Sequence, residues 1–166
     1  MKLSKKLGFT LVELLVVIGI LGILAAGLLA TIDPFEQLKK GRDATARNTV
    51  AELHDAVTRY NADTGSMPWE AIGSGTDVTV AFSDFSDSVV ELVRLGELKE
   101  GFWDAAKRYE ADIHIVGGAD DVTICFPPGS KAVRGDENTH WNITGSDLGT
   151  DYDCLTEDAS CYWCAM

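Results

Sequence analysis

Basic residues are scarce in this chain. Lys plus Arg number 14 against 26 Asp plus Glu, a formal net charge of −12 over 166 residues. Such an acidic surface repels phosphate backbones at long range, so nucleic acid is not an expected partner. Histidine occurs only three times, at His54, His114 and His140. The three show no ligand spacing, and isolated rings of this kind read as packing or surface residues. No nucleophile–base pair, phosphate-binding loop or paired-carboxylate geometry can be argued from the residues. No enzyme activity, metal or cofactor is therefore expected. Cysteine is absent before Cys125, and no charge interrupts Leu14 to Ala30. A mean hydropathy of +0.03 thus averages two unlike parts, an apolar N-terminal stretch and a polar, acidic remainder of one domain's length.

The N-terminal stretch carries most of the information. Residues 1–8 (MKLSKKLG) hold three lysines and no acid, and from Leu7 to Ile32 the only charge is Glu13. A helix over residues 9–32 is roughly 36 Å long at 1.5 Å per residue, enough for a hydrocarbon core of about 30 Å. Secretory h-regions are shorter, about 7–15 residues, so the segment reads as a retained membrane anchor. Glu13 is costly inside an apolar run, about 2.5–3.5 kcal/mol on insertion scales. It is either a functional carboxylate or a residue snorkelling to the interface.

The string KKLGFTLVELLVVIGILGILAA, Lys5 to Ala26, closely resembles the class III signal of type IV pilins and type II secretion pseudopilins. The basic leader, Gly8, Phe9, Thr10-Leu11, Glu13 and the apolar helix all match. The resemblance implies cleavage by a prepilin peptidase between Gly8 and Phe9, methylation of the new Phe9 amine, and Glu13 as the assembly carboxylate. Loss of the leader with its three lysines would take the net charge from −12 to −15.

Beyond the anchor, Asp33-Pro34-Phe35-Glu36 is a helix-start signal: a capping residue, proline at the first helical position, and a glutamate three residues after the cap. The alternative is one helix running through and kinked at Pro34. Ala46, Val50, Leu53, Val57 and Tyr60 then recur at helical spacing as one apolar stripe. Lys39, Lys40, Arg42 and Arg47 form a basic collar outside the membrane, solvated or facing headgroups. Thr64-Gly65-Ser66 stops the helix, and residues 60–68 (YNADTGSMP) again resemble pilins, more weakly. A loop is expected over 71–79 and an amphipathic helix over 86–95 capped by Ser86, with Gly96 and Gly101 breaking the chain. Residues 110–116 and 121–126 read as a hairpin around 117–120, with short strands over 131–134 and 140–143. The tail from Gly145 reads as an acidic loop.

All four cysteines, Cys125, Cys154, Cys161 and Cys164, lie in the part that the anchor would export, where an even count favours disulfides. Zinc needs four converging thiolates, and only one C-x-x-C pair exists. A thioredoxin-like site needs a helix after its motif, but only Ala165 and Met166 follow. Pairings that close long loops are favoured by chain entropy. Cys125–Cys164 with Cys154–Cys161 and Cys125–Cys154 with Cys161–Cys164 both remain open. Asp147, Asp151, Asp153, Glu157 and Asp158 form an acidic loop, a solvated face or a calcium site without EF-hand spacing.

The expected fold class is α+β: a long N-terminal helix, half membrane-spanning and half amphipathic, packed on a small antiparallel sheet. The expected organisation is a leader at 1–8, a transmembrane helix at 9–32, an amphipathic helix at 33–64 and a globular head at 65–166 with a disulfide-tethered C-terminal loop. The resemblance implies a single-pass membrane precursor, then a subunit of an extracellular or periplasmic homo-oligomeric helical filament. Its partners would be the membrane, prepilin peptidase, and pilus or secretion assembly machinery. Pilus subunit and secretion pseudopilin stay open. So does an anchored exported domain with its own binding or thiol chemistry.

Overall fold

The computed structural model describes residues 8–31, 33–140, 142–143, 154–155 and 161–166. By its internal contacts the chain divides into two units, 1–37 and 38–166.

The first unit holds α1 (Leu11–Thr31), a helix apolar around its whole circumference. A second helix, α2 (Pro34–Thr64), starts where the sequence signal places it. The Asp33 carboxylate accepts the N–H groups of Phe35 (3.1 Å) and Glu36 (3.2 Å), which satisfies donors that the first turn leaves unpaired. A capped start at Pro34 is therefore what forms.

The second unit is built on the remainder of α2. Ala46, Val50, Leu53, Val57 and Tyr60 are all 2% exposed or less, as one helical stripe facing a core requires. Gly65 ends the helix with φ +74°, a left-handed conformation that side chains disfavour. A short helix, α3 (Pro68–Ala71), follows, and its Trp69 is buried. Then come strand β1 (Val78–Ala81), helix α4 (Ser86–Arg94) and helix α5 (Phe102–Ala106). The hairpin is β2 (His114–Gly117) and β3 (Val122–Phe126), paired His114 to Cys125 and Gly117 to Val122. A helical turn α6 (Lys131–Arg134), strand β4 (Thr139–His140) and strand β5 (Tyr162–Ala165) complete the described elements. The five strands form one antiparallel sheet in the order β1-β2-β3-β5-β4. Its inward residues Ile115, Ile124 and Phe126 share one hydrophobic core with the α2 stripe. This is an α+β, pilin-like arrangement.

Several local expectations are corrected. Ser86 is the first helical residue rather than the cap, because a 3-10 turn over Phe82–Phe85 runs directly into α4 and buries both phenylalanines. The hairpin starts four residues later than 110, since the Tyr109 carbonyl accepts the N–H groups of Asp112 and Ile113 and winds the chain there. Residues 131–134 form a helical turn, not a strand, with the Ser130 hydroxyl accepting the Val133 N–H. Of the expected 140–143 strand, pairing covers His140 among the described residues, and the strand begins one residue earlier at Thr139. β1 starts inside the expected 71–79 loop. The tail from Gly145 is not all loop, because Tyr162–Ala165 enters the sheet.

Gly117 shows how closely sheet and helix layers meet. A Cβ added there would lie 2.5 Å from two atoms of the buried Trp69 ring. Trp69 is pinned by its indole N–H, which donates to the Thr76 carbonyl at 3.2 Å. Gly117→Ala should therefore destabilise the head by about 1–3 kcal/mol through overpacking. Thermal unfolding of the detergent-solubilised protein measures it; an unchanged midpoint would show that the ring moves aside freely.

Candidate functional site

The N-terminal site is local and polar at one point only. Gly8, Phe9 and Thr10 precede α1, and every residue from 8 to 29 is exposed. Thr10 occupies the cap position. Its hydroxyl accepts the Glu13 N–H at 3.2 Å, while the Glu13 carboxylate accepts the Thr10 N–H at 2.8 Å and the Thr10 O–H at 2.7 Å. This reciprocal arrangement is a capping box. It satisfies two backbone donors of the first turn, and both bonds to the carboxylate fall on the same oxygen, Oε2. The carboxylate also sits at the positive end of the helix dipole. The spacing T-x-x-E before an apolar run was readable in the sequence, and Thr10 is the site residue that reading overlooked.

From Leu11 to Leu29, 19 residues make a helix long and apolar enough to cross a membrane. None of that stretch is buried within the protein. Its surface therefore needs lipid, or other apolar helices, to cover it.

The second cluster gathers at the C-terminal end. Disulfides join Cys125 to Cys164 and Cys154 to Cys161. Cys125 and Cys164 are directly paired residues of neighbouring strands β3 and β5. With no free cysteine, the C-x-x-C motif offers no thiolate in this state. Beside the cross-link, the Trp163 indole N–H donates to Asp136 Oδ1 at 3.2 Å, and the Asn138 N–H donates to the same oxygen at 3.0 Å. Arg47 of α2 approaches Asp136 Oδ2 at 3.3 Å and lies 4.6 Å from the Trp163 ring centre, a cation–π geometry. Burial pushes the Asp136 carboxyl up, but the Asn138 and Trp163 hydrogen bonds and the Arg47 charge outweigh it and hold it below its ordinary value. A further clasp was also missed in the sequence. Asp43, 2% exposed, accepts the N–H groups of Gly129 (3.0 Å) and Ser130 (2.7 Å). Its signal was its phase, since it lies on the same stripe three residues before Ala46.

The histidines are not brought together. His54 is 3.6 Å from Asp55, His114 packs edge-on against Tyr162, and His140 is buried. Among the described residues no three His, Cys, Asp or Glu side chains converge on a metal position. Asp147, Asp151, Asp153, Glu157 and Asp158 lie outside the described residues, as do residues 1–7 of the leader.

The comparisons bear on the N-terminal site alone. A family model described as the prokaryotic N-terminal methylation motif matches residues 3–29. No curated protein and no solved structure matches the chain. The matched stretch is the class III prepilin signal, and it contains Gly8, Phe9, Thr10 and Glu13.

Two outcomes follow from the C-terminal cluster. Chain-entropy estimates for the 39-residue and 7-residue separations give about 4 and about 2 kcal/mol. Cys125→Ser with Cys164→Ser should therefore lower the unfolding midpoint more than Cys154→Ser with Cys161→Ser, and the reverse order would show that strand pairing alone holds β5. The second concerns pH. Because the folded Asp136 value is depressed, its stabilisation is present above the unfolded value near pH 4 and is lost as pH falls through the folded one. The NMR resonance of the Trp163 indole N–H should keep its position at pH 5 and shift only below pH 4. In Asp136→Asn it should be displaced at both.

Proposed function

We propose that this type IV pilin-like exported chain is a structural, non-catalytic subunit of a type IV pilus or related filament. The observation that carries the proposal is the prepilin signal over residues 3–29, continuous with a helix that buries none of its own surface. In this reading prepilin peptidase removes residues 1–8 on the cytoplasmic side, and Phe9 becomes the methylated N-terminus. The subunit then waits in the membrane, anchored by α1. Assembly machinery moves it into an extracellular or periplasmic homopolymer, where α1 helices of neighbouring copies replace lipid.

Glu13 supplies register in this scheme. Cleavage creates a positive Phe9 amine four residues before Glu13, just outside the Thr10 cap. A buried unpaired ammonium or carboxylate is unfavourable. Glu13 of one subunit facing the Phe9 amine of its neighbour relieves both costs and fixes axial stagger, while the Leu, Ile and Val side chains pack without specificity. The Thr10 capping box keeps the carboxylate hydrogen-bonded until then, through one of its two oxygens.

Two Glu13 variants separate these roles. Glu13→Gln keeps an acceptor for the Thr10 N–H but removes the charge, whereas Glu13→Ala removes both. Each should be inserted and processed to a methylated Phe9 start, read by mass spectrometry, yet be depleted from sheared filaments relative to the processed membrane pool. Incorporation equal to wild type would leave Glu13 as a helix cap only. A mature protein starting at Met1 or near Leu28 would overturn the filament reading itself.

A further inference from the structure

The head carries an apolar groove that the fold does not fill. It is lined by Ser86, Val89, Val90, Val93, Gly101 and Trp103, with a volume of about 320 Å³. That is the small end of the range for ligand pockets, room for a side chain or two. Val90 is 66% exposed within it, and Trp103 forms a fixed wall by stacking on buried Phe82 at 4.7 Å. The residues next to the lining in sequence are mostly acidic: Asp87, Glu100 and Asp104 are exposed, beside exposed Lys99, while Arg94 is held by Glu91 at 2.7 Å.

The opposite chemistry stands at the start of α2. Phe35 and Leu38 are 74% and 72% exposed. At i and i+3 they share one side of the helix. Exposed Lys39 and Lys40 follow them directly. Two large apolar side chains beside two cations match an apolar groove whose neighbouring residues include three exposed carboxylates and fewer cations. These residues lie just beyond the membrane span, so a subunit leaving the membrane presents them to water unless something covers them.

We propose that the groove between α4 and α5 seats the Phe35–Lys40 segment of a second copy of this chain. Phe35 and Leu38 enter the groove, and Lys39 and Lys40 meet Asp87, Glu100 and Asp104. The contact joins unlike surfaces of identical subunits, the heterologous type that propagates into open helical filaments rather than closing. It rests on the filament reading and adds to it a docking surface on the head.

The test uses full-length chains in a host with pilus assembly machinery. One tagged chain carries Leu38→Cys and a differently tagged one Val90→Cys. Sheared filaments are treated with a short bismaleimide, which leaves native disulfides untouched. The expected result is a cross-linked dimer bearing both tags, lost when Thr79→Cys on edge strand β1 replaces Val90→Cys. Filaments containing both chains but no such dimer, or an equal yield from Thr79→Cys, overturn the docking and leave the filament reading intact. A link from Val90→Cys to a host protein instead of the second copy also overturns it. Wild-type chain that never enters filaments defeats the filament reading, and the docking with it. If a cysteine variant stays out of filaments, charge exchange decides. Lys39→Glu with Lys40→Glu should lose incorporation, and adding Asp87→Lys with Asp104→Lys should restore it; no loss, or no restoration, overturns the docking.

Discussion

Strand β5 is hydrogen-bonded on both sides, to β3 and to β4. Without it β4 would have no neighbour among the described strands, β3 would become an edge, and Trp163 would leave the core. The side-chain network around it follows the same dependence. Asp136 lies just past α6, Arg47 comes from α2, and both meet at Trp163 of β5. The Cys125–Cys164 bond fastens this strand to its partner at a paired position. Placing residues 161–166 is thus what turns a hairpin and an edge strand into a five-stranded sheet against α2.

The other unit obeys a different physical rule. α1 has no inward face, so packing within the chain does not determine where it goes, and the solvent around it does. In lipid its apolar side chains are already satisfied, and its polar requirements fall at its ends. At the N-terminus Thr10 and Glu13 pair two of the backbone donors between themselves. An anchor capped within its own first turn carries those two paired donors with it from one apolar environment to another.

How much of this was legible in the sequence depends on the range of the interactions. The α2 stripe, the Asp33 cap and the hairpin come from period and turn chemistry within a few residues, and such signals survive, the hairpin with its start moved to His114. The N-terminal site was legible through the spacing of Gly8, Phe9 and Glu13, although the Thr10 box that holds Glu13 was not noticed. β5 was missed because Cys161-Tyr162-Trp163-Cys164 is too short for alternation to register. Its strand character comes from β3, whose paired Cys125 is 39 residues away. Residues 131–134 failed for a related reason: Ser130 caps a turn there while Asp43, 87 residues earlier, holds the Ser130 N–H. Local chemistry shows in a sequence; partners supplied from a distance do not.

The covalent bond between β3 and β5 also decides how the head yields to tension. A disulfide keeps its two Cα atoms within about 7 Å of each other, so these strands cannot peel apart while it stands. Extension of the sheet is left to its borders, where β1 contributes four residues and β4 only two. Mechanical failure would therefore begin at strands held by hydrogen bonds alone, with β3 and β5 staying together as one piece.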